Sequence, residues 1–109
     1  MINISFEDDA LHDLCVNLER AEHTLGTVSA GALINLISDA NAFENAHELI
    51  DFLSEDAEIS VHDSLIVAIG SDYRATLVVV GTRFGRNADG RIVWASVTRL
   101  KLVAISRCP

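Results

Sequence analysis

The sequence of 109 residues lacks the features that mark several classes of protein. Its longest largely apolar run, Ala75 to Val80, is too short to cross a bilayer, and no signal peptide is expected. One proline, six glycines and a half-hydrophobic composition disfavour a disordered or low-complexity chain. Cys15 and Cys108 have neither metal-binding nor redox spacing, and Cys15 lies on an apolar helix face, which predicts a buried thiol. One globular domain over residues 1–109 is expected, with the cytoplasm as its compartment.

Motifs of the common enzyme classes are also missing. There is no glycine-rich phosphate loop, no usable Ser-His-Asp spacing and no paired Cys/His set, so no metal or cofactor is expected. His12 and His23 lie three turns apart on one predicted helix and cannot share a metal. His62-Asp63 could support general-base chemistry if it faced Arg74, but exposed surface histidines are the favoured interpretation for all four in the sequence.

Charge is distributed unevenly along the chain. The net charge of −8, taken whole, argues against a nucleic-acid binder. Residues 1–72, however, hold 15 acidic side chains and one basic one, a charge of −14, whereas residues 73–109 hold one acidic and seven basic side chains, a charge of +6. The seven are Arg74, Arg83, Arg86, Arg91, Arg99, Lys101 and Arg107. This asymmetry is typical of an interaction surface.

Hydrophobic periodicity predicts helices in the first half of the chain. A short strand that ends at Ser5 is expected first, and the same serine can cap a helix that stops at Gly26. A second helix, antiparallel to the first, is expected from Thr27 or Ser29. A shorter helical pattern covers Phe43–Leu53, and the acidic residues that follow it are interpreted as a solvated linker.

The second half changes to a strand pattern. Leu65–Ile69 and Ala75–Val80 are continuous aliphatic runs on either side of the hairpin turn at residues 70–72, and such runs predict strands covered on both faces. Thr98–Ile105 alternates instead, and a loop rich in Gly and Arg precedes it. Its two expected faces are Leu100, Leu102 and Ala104, and Arg99, Lys101 and Val103. The predicted fold class is α+β, with an amino-terminal strand and a helical hairpin packed on an antiparallel β-meander. The sequence contains no internal repeat.

An antiparallel meander can gather the basic residues of strands and loop around one concave face. Guanidinium groups chelate phosphate oxygens, so such a face would suit a nucleic-acid backbone, with Trp94 and Phe84 available to stack on bases. The alternative is that these arginines balance the acidic helices and keep the protein soluble, and that the two aromatic side chains belong to the core or its rim.

The final third of the chain resembles a known pattern. Tyr73-Arg74 is followed by an apolar strand, a basic loop, the segment Asp89-Gly90-Arg91-Ile92-Val93-Trp94, then Val97-Thr98 and a last apolar strand. This order is similar to that of the RelE/ParE superfamily of bacterial toxins, and most of all to its HigB-like, or plasmid maintenance killer, subgroup. Ile4-Ser5-Phe6 resembles the family's first strand.

The resemblance implies a RelE/ParE-like fold and a cytoplasmic toxin of a type II toxin–antitoxin system. Such toxins generally act as mRNA interferases (endoribonucleases) on the ribosome, others poison DNA gyrase, and an antitoxin protein neutralises them by covering the basic groove. Arg74 matches the family's functional arginine, which would stabilise a pentavalent phosphate, and Tyr73 matches its neighbour. A homodimer is compatible with this expectation. The residues then expected to bind RNA are Arg83, Arg86, Arg91, Arg99 and Lys101.

The sequence departs from the family pattern at two places. Glu58–Ser64 contains no lysine or arginine where the family has a basic strand, and Ser106–Pro109 lacks the terminal aspartate, tyrosine or histidine. Loss of positioned acid/base groups typically slows a reaction by about two to four orders of magnitude. These departures favour the alternative function, a catalytically inactive protein-binding module on the same fold.

Overall fold

The computed structural model describes residues 2–60, 63–81 and 85–107 and has an α+β architecture. Among these residues the helices are α1 (Asp9–Val16), α2 (Leu18–Leu25), α3 (Thr27–Ala42) and α4 (Ala46–Leu53). The strands are β1 (Asn3–Phe6), β2 (Ala57–Ile59), β3 (Leu65–Ile69), β4 (Tyr73–Val79) and β5 (Arg99–Arg107). Short 3-10 turns span Ser54–Asp56 and Trp94–Ser96. Within the described ranges, no helix is long and apolar enough to cross a membrane.

The first helical region differs from the prediction at its start and at its middle. Ser5 lies in β1, and Asp8 caps α1 instead. The single helix predicted up to Gly26 is interrupted at Asn17, which has extended backbone angles and whose side chain accepts the Arg20 backbone N–H at the start of α2. Asparagine competes for backbone hydrogen bonds and favours caps over helix interiors, which explains the break. Gly26 ends α2 as predicted, with φ +87°.

The next two elements are also displaced from their predicted bounds. The helix predicted from Phe43 begins at Ala46, because the Asn45 side chain accepts the Glu48 backbone N–H and fixes the first turn there. The predicted linker contains β2, which pairs with β3 from Ala57 to Ile59. Only three residues form this edge strand, too few to produce a readable alternation.

The five strands form one mixed sheet in the order β1-β5-β4-β3-β2. The predicted antiparallel meander is present, since β2, β3, β4 and β5 pair antiparallel in turn. The amino-terminal strand does not pack against the meander but joins its edge, where Asn3 to Phe6 pair in parallel with Arg99 to Leu102.

Burial alternates along the central strands and defines two unlike faces. The inner face packs against the helices and contains fully buried side chains, among them Leu65, Ile69, Leu77, Leu100 and Leu102. The side chains between them are only partly buried or exposed. The prediction that both faces of these strands are covered is therefore wrong. Neighbouring side chains on a bare sheet face shield one another, so an apolar run can be half-exposed.

We call the second face of the sheet the open face. By strand register its residues are Asn3, Ser5, Glu58, Ile66, Ala68, Arg74, Thr76, Val78, Arg99, Lys101, Ala104 and Ser106.

A β-bulge changes the faces of β5. Thr76 pairs with Ala104 while Leu77 pairs with Leu102, so Val103 is an extra residue between two ladder positions. Beyond it, Ala104 lies on the open face and Ile105 packs against the core. The alternation predicted for this strand therefore ends at Leu102.

Cys15 is buried, as predicted, with 7% of its surface exposed. Burial raises the pKa of its thiol from 9.0 to about 11, because desolvation disfavours the thiolate. The thiol is therefore neutral and unreactive near pH 7. Cys108 lies outside the described residues.

Candidate nucleic-acid interface

Arg74 lies on the open face near one end of β4. It pairs with Ala68 on one side and Ser106 on the other, so small side chains flank it. The residue is partly buried, and its guanidinium makes no ion pair or hydrogen bond with any described residue. A cation that is partly removed from water interacts more strongly with an anionic ligand than a fully exposed cation does. Arg74 is therefore a candidate contact for an anionic ligand.

Tyr73 points away from Arg74. It pairs with Ile69 and Arg107 and packs against the core on the inner face. Side chains of successive strand residues alternate between faces, so Tyr73 and Arg74 cannot meet one substrate on the sheet. Of the two residues predicted as catalytic, the structure places only Arg74 on the open face.

Lys101 and Arg99 share the open face with Arg74 but lie towards its other end. Lys101 pairs with Val78, four residues from Arg74 along β4, which corresponds to about 13 Å. Its ammonium nitrogen is 2.9 Å from the Glu7 carboxylate. Arg99 lies two residues further along, is exposed, and makes no ion pair within the described part of the chain.

Two arginines of the loop before β5, Arg86 and Arg91, lie on a small hairpin, residues 85–92. Arg86 bridges to Ile92, donates to the Gly90 carbonyl over 2.8 Å and lies 3.7 Å from the Asp63 carboxylate. It therefore closes the hairpin and ties it to the turn between β2 and β3. Arg91 is exposed. The sequence could not distinguish these two roles because both arginines lie in the same loop.

On the sheet and the hairpin, the basic residues that the structure describes form two groups rather than one cluster. Arg74 and Arg107 lie at the end of the sheet next to the β3–β4 turn, whereas Arg99, Lys101, Arg86 and Arg91 lie towards the opposite end. Arg83 and Phe84 lie outside the described residues. Trp94 is partly buried and packs against the core, so it is not available for stacking on the open face.

Apolar and small side chains occupy the open face between the two basic groups. These are Ile66, Ala68, Thr76, Val78 and Ala104. β3, β4 and β5 contribute no carboxylate there; Glu58 lies on the edge strand β2, and Glu7 follows the edge strand β1. A ligand on this face would meet an apolar centre with cations at both ends. The sequence analysis did not predict an apolar centre on this face. The continuous apolar runs of β3 and β4 were the feature that could have indicated it.

The titratable groups suited to proton transfer lie elsewhere. His12, His23 and His47 are exposed on the helices, as predicted; His12 packs edge-on against Phe6 and His47 lies 3.3 Å from Asp51. His62 lies outside the described residues. Over the ranges that the structure describes, no three His, Cys, Asp or Glu side chains are grouped so as to hold a metal ion.

Comparison with protein-family models, with curated proteins and with solved structures gives no match for this chain.

Proposed function

We propose that the protein is a toxin component of a type II toxin–antitoxin system, with a RelE/ParE-like fold, and that its open face binds RNA through Arg74. The observation that carries this proposal is the position of Arg74: partly buried on a bare sheet face, between Ala68 and Ser106, and without a carboxylate partner among residues 2–60, 63–81 and 85–107. A guanidinium in that setting can hold phosphate oxygens bidentately.

The conformation of the motif residues supports the resemblance to RelE/ParE toxins. Asp89-Gly90 forms the tip of the hairpin, where Gly90 has φ +79°. Ile92 and Val97 are buried, and the Val97 carbonyl accepts the first N–H of α4, at Ala46. The order of turn, apolar and aromatic residues in this segment thus has a physical use, because its buried residues anchor the basic hairpin to the helical layer.

The charge distribution supports binding of an anionic partner to the sheet. The four helices contain nine of the acidic side chains, if the 3-10 turn at Ser54–Asp56 is counted with them. The basic residues of the carboxyl-terminal third that the structure describes lie on the sheet and the hairpin. This separation supports the binding of RNA, an anionic partner, to the open face despite the net charge of −8.

Arg74 has one chemical role in this proposal. It stabilises negative charge that develops on a phosphate during cleavage, because arginine remains protonated and is a poor base. The described open face carries no histidine that could move a proton, so cleavage is expected to be slow. The partners in this proposal are the ribosome, its messenger RNA and an antitoxin protein.

A second candidate function is favoured by the apolar centre of the open face. Ile66, Val78 and Ala104 suit a protein segment better than they suit a phosphate backbone. In this alternative the chain is a catalytically inactive binding module of the same fold, whose partner covers the open face.

Substituting Arg74 by alanine is expected to weaken binding to a single-stranded RNA about tenfold, because one phosphate contact is lost. The slope of log affinity against log salt should fall by about 0.7 for that contact. Fluorescence anisotropy over a salt series measures both quantities.

Arg20→Ala is the matched control, since Arg20 is exposed on α2 and pairs with Asp13 over 3.1 Å on the helical side. Equal affinities for Arg74→Ala, Arg20→Ala and the unchanged protein would contradict the RNA role of Arg74. No RNA affinity even at low salt, with binding to an antitoxin protein retained in Arg74→Ala, would instead support the binding module.

A further inference from the structure

An ion pair at the margin of the open face joins Glu7 to Lys101. The Lys101 ammonium nitrogen is 2.9 Å from a Glu7 carboxylate oxygen, and the lysine and glutamate side chains are 36% and 50% exposed. Lys101 lies on the open face, where its register partners are Val78 on β4 and Ser5 on β1. Neither of these neighbours carries a charge. Among the ion pairs that the structure describes, Glu7 alone neutralises this lysine.

The main chain fixes the position of Glu7. This residue directly follows β1, and its backbone N–H donates to the Leu102 carbonyl over 2.9 Å. That hydrogen bond extends the contact of β1 with β5 by one residue and holds Glu7 beside Lys101, which precedes Leu102 on β5. The ion pair is therefore a consequence of the strand register.

Lys101 and Arg74 consequently present different electrostatic surroundings to a ligand. Arg74 lies between Ala68 and Ser106 and has no carboxylate partner in the parts of the chain that the structure describes. A phosphate that approaches Lys101 meets the Glu7 carboxylate as well, so it must either separate the pair or tolerate the repulsion. Separation of an exposed ion pair costs up to about fivefold in an equilibrium constant.

We propose that Glu7 lowers the affinity of the open face for RNA by withholding Lys101 from phosphate. This inference rests on the proposed binding of RNA to the open face. Glu7 then determines where phosphate binds, because it leaves Arg74, about 13 Å from Lys101 along the strands, as the stronger contact. Lys101, which the sequence predicts to bind RNA, makes no phosphate contact while Glu7 holds it.

Glu7→Gln tests the proposal, because it removes the charge but keeps the side-chain length and the backbone hydrogen bond to Leu102. The affinity for a single-stranded RNA, measured by fluorescence anisotropy, should rise about three- to fivefold. The slope of log affinity against log salt should steepen by about 0.7, because Lys101 gains a phosphate contact. The urea unfolding midpoint should change little, since the ion pair is exposed.

Glu19→Gln is the matched control. Glu19 is exposed on α2, on the helical side of the sheet, and makes no ion pair within the described ranges. Its substitution changes the net charge by the same amount, but at a distance from the open face at which salt screens it. This variant should bind RNA less than about twofold more tightly, at an unchanged salt slope.

Lys101→Met distinguishes a new phosphate contact from a general gain in positive charge, because methionine keeps an apolar stem and lacks the ammonium group. In the Glu7→Gln background it should abolish the gain in affinity and return the salt slope to its original value. In the unchanged protein it should weaken binding by less than about twofold, because Glu7 already engages the ammonium group.

The proposal is overturned if Glu7→Gln binds RNA as Glu19→Gln does, or if Lys101→Met weakens binding equally in both backgrounds. A loss of affinity in Arg74→Ala would then still support the RNA role of Arg74. If Glu7→Gln binds more tightly while Arg74→Ala binds as the unchanged protein does, the role of Arg74 alone is wrong. Absence of RNA affinity in every variant overturns both proposals, so the two failures are distinguishable.

Discussion

Leu77→Ala is expected to lower the free energy of unfolding by about 2–5 kcal/mol, whereas Val78→Ala should lower it by less than about 1 kcal/mol. Leu77 is fully buried on the inner face, between Leu65 and Leu102, so its truncation leaves a cavity in the core. Val78 is partly exposed on the open face, and water or a neighbouring side chain can fill the space. The two residues are adjacent on one strand, so Val78→Ala is a closely matched control for Leu77→Ala.

Urea unfolding measures the contrast as a difference in midpoint at an unchanged slope. If both substitutions cost the same, a second layer covers the open face, and neither RNA nor a partner protein could reach Arg74 there. The stability of these two variants therefore bears directly on whether the open face is accessible.

Gly70→Ala is expected to destabilise the protein by about 3 kcal/mol, for two separable reasons. Its φ of +76° is costly for any residue with a Cβ, and that Cβ would lie 2.6 Å from the Ser29 hydroxyl oxygen. Gly90→Ala isolates the first reason. Gly90 has φ +79° and no atom within 4 Å of an added Cβ, so its substitution should cost only about 1–2 kcal/mol.

A double-mutant cycle isolates the second reason. Removing the hydroxyl with Ser29→Ala in the Gly70→Ala background should recover about 1 kcal/mol, so the two changes should not be additive. Additive effects in thermal or urea unfolding would show that Ser29 and Gly70 do not meet as described. Ser29→Ala in the Gly90→Ala background serves as the control and should recover nothing.

Local patterns in the sequence predict much of this fold. The strands at Leu65–Ile69 and after the turn at residues 70–72, the helix end at Gly26 and the buried Cys15 all follow from hydrophobic spacing and glycine chemistry. The break at Asn17 was missed because Leu18 and Leu25 continue the apolar spacing across it. Spacing shows which side of a helix is apolar, but it does not show where a side-chain cap interrupts the helix.

Long-range pairing could not be predicted in the same way. The parallel match of Ile4 with Leu100 joins residues from opposite ends of the chain, and no local signal encodes it. The bulge at Val103 is likewise set by how β4 and β5 fit together. Both features matter for the site, because they decide which side chains of β5 share the open face with Arg74.

The sequence shows which basic residues the carboxyl-terminal strands carry, but it does not predict how they are arranged on the sheet. Arg74 and Lys101 lie on neighbouring strands, yet the register that pairs Arg74 with Ser106 separates them by about 13 Å. The sequence could have predicted that Tyr73 and Arg74 point to opposite faces of the sheet, because adjacent residues of a strand alternate between its faces. No local pattern in the sequence predicts the cleft beside Ser29, because it forms between two turns that are distant in sequence, the α2–α3 connection and the β3–β4 turn.

Induced expression of the protein in growing bacteria, combined with cleavage of messenger RNA on purified ribosomes, tests the central claim most directly. The unchanged protein and Arg20→Ala should arrest growth and cut messages, whereas Arg74→Ala, at equal soluble level and equal unfolding midpoint, should do neither. Normal growth and intact messages with the unchanged protein would contradict the account. Growth arrest and message cleavage that persist in Arg74→Ala would contradict it equally.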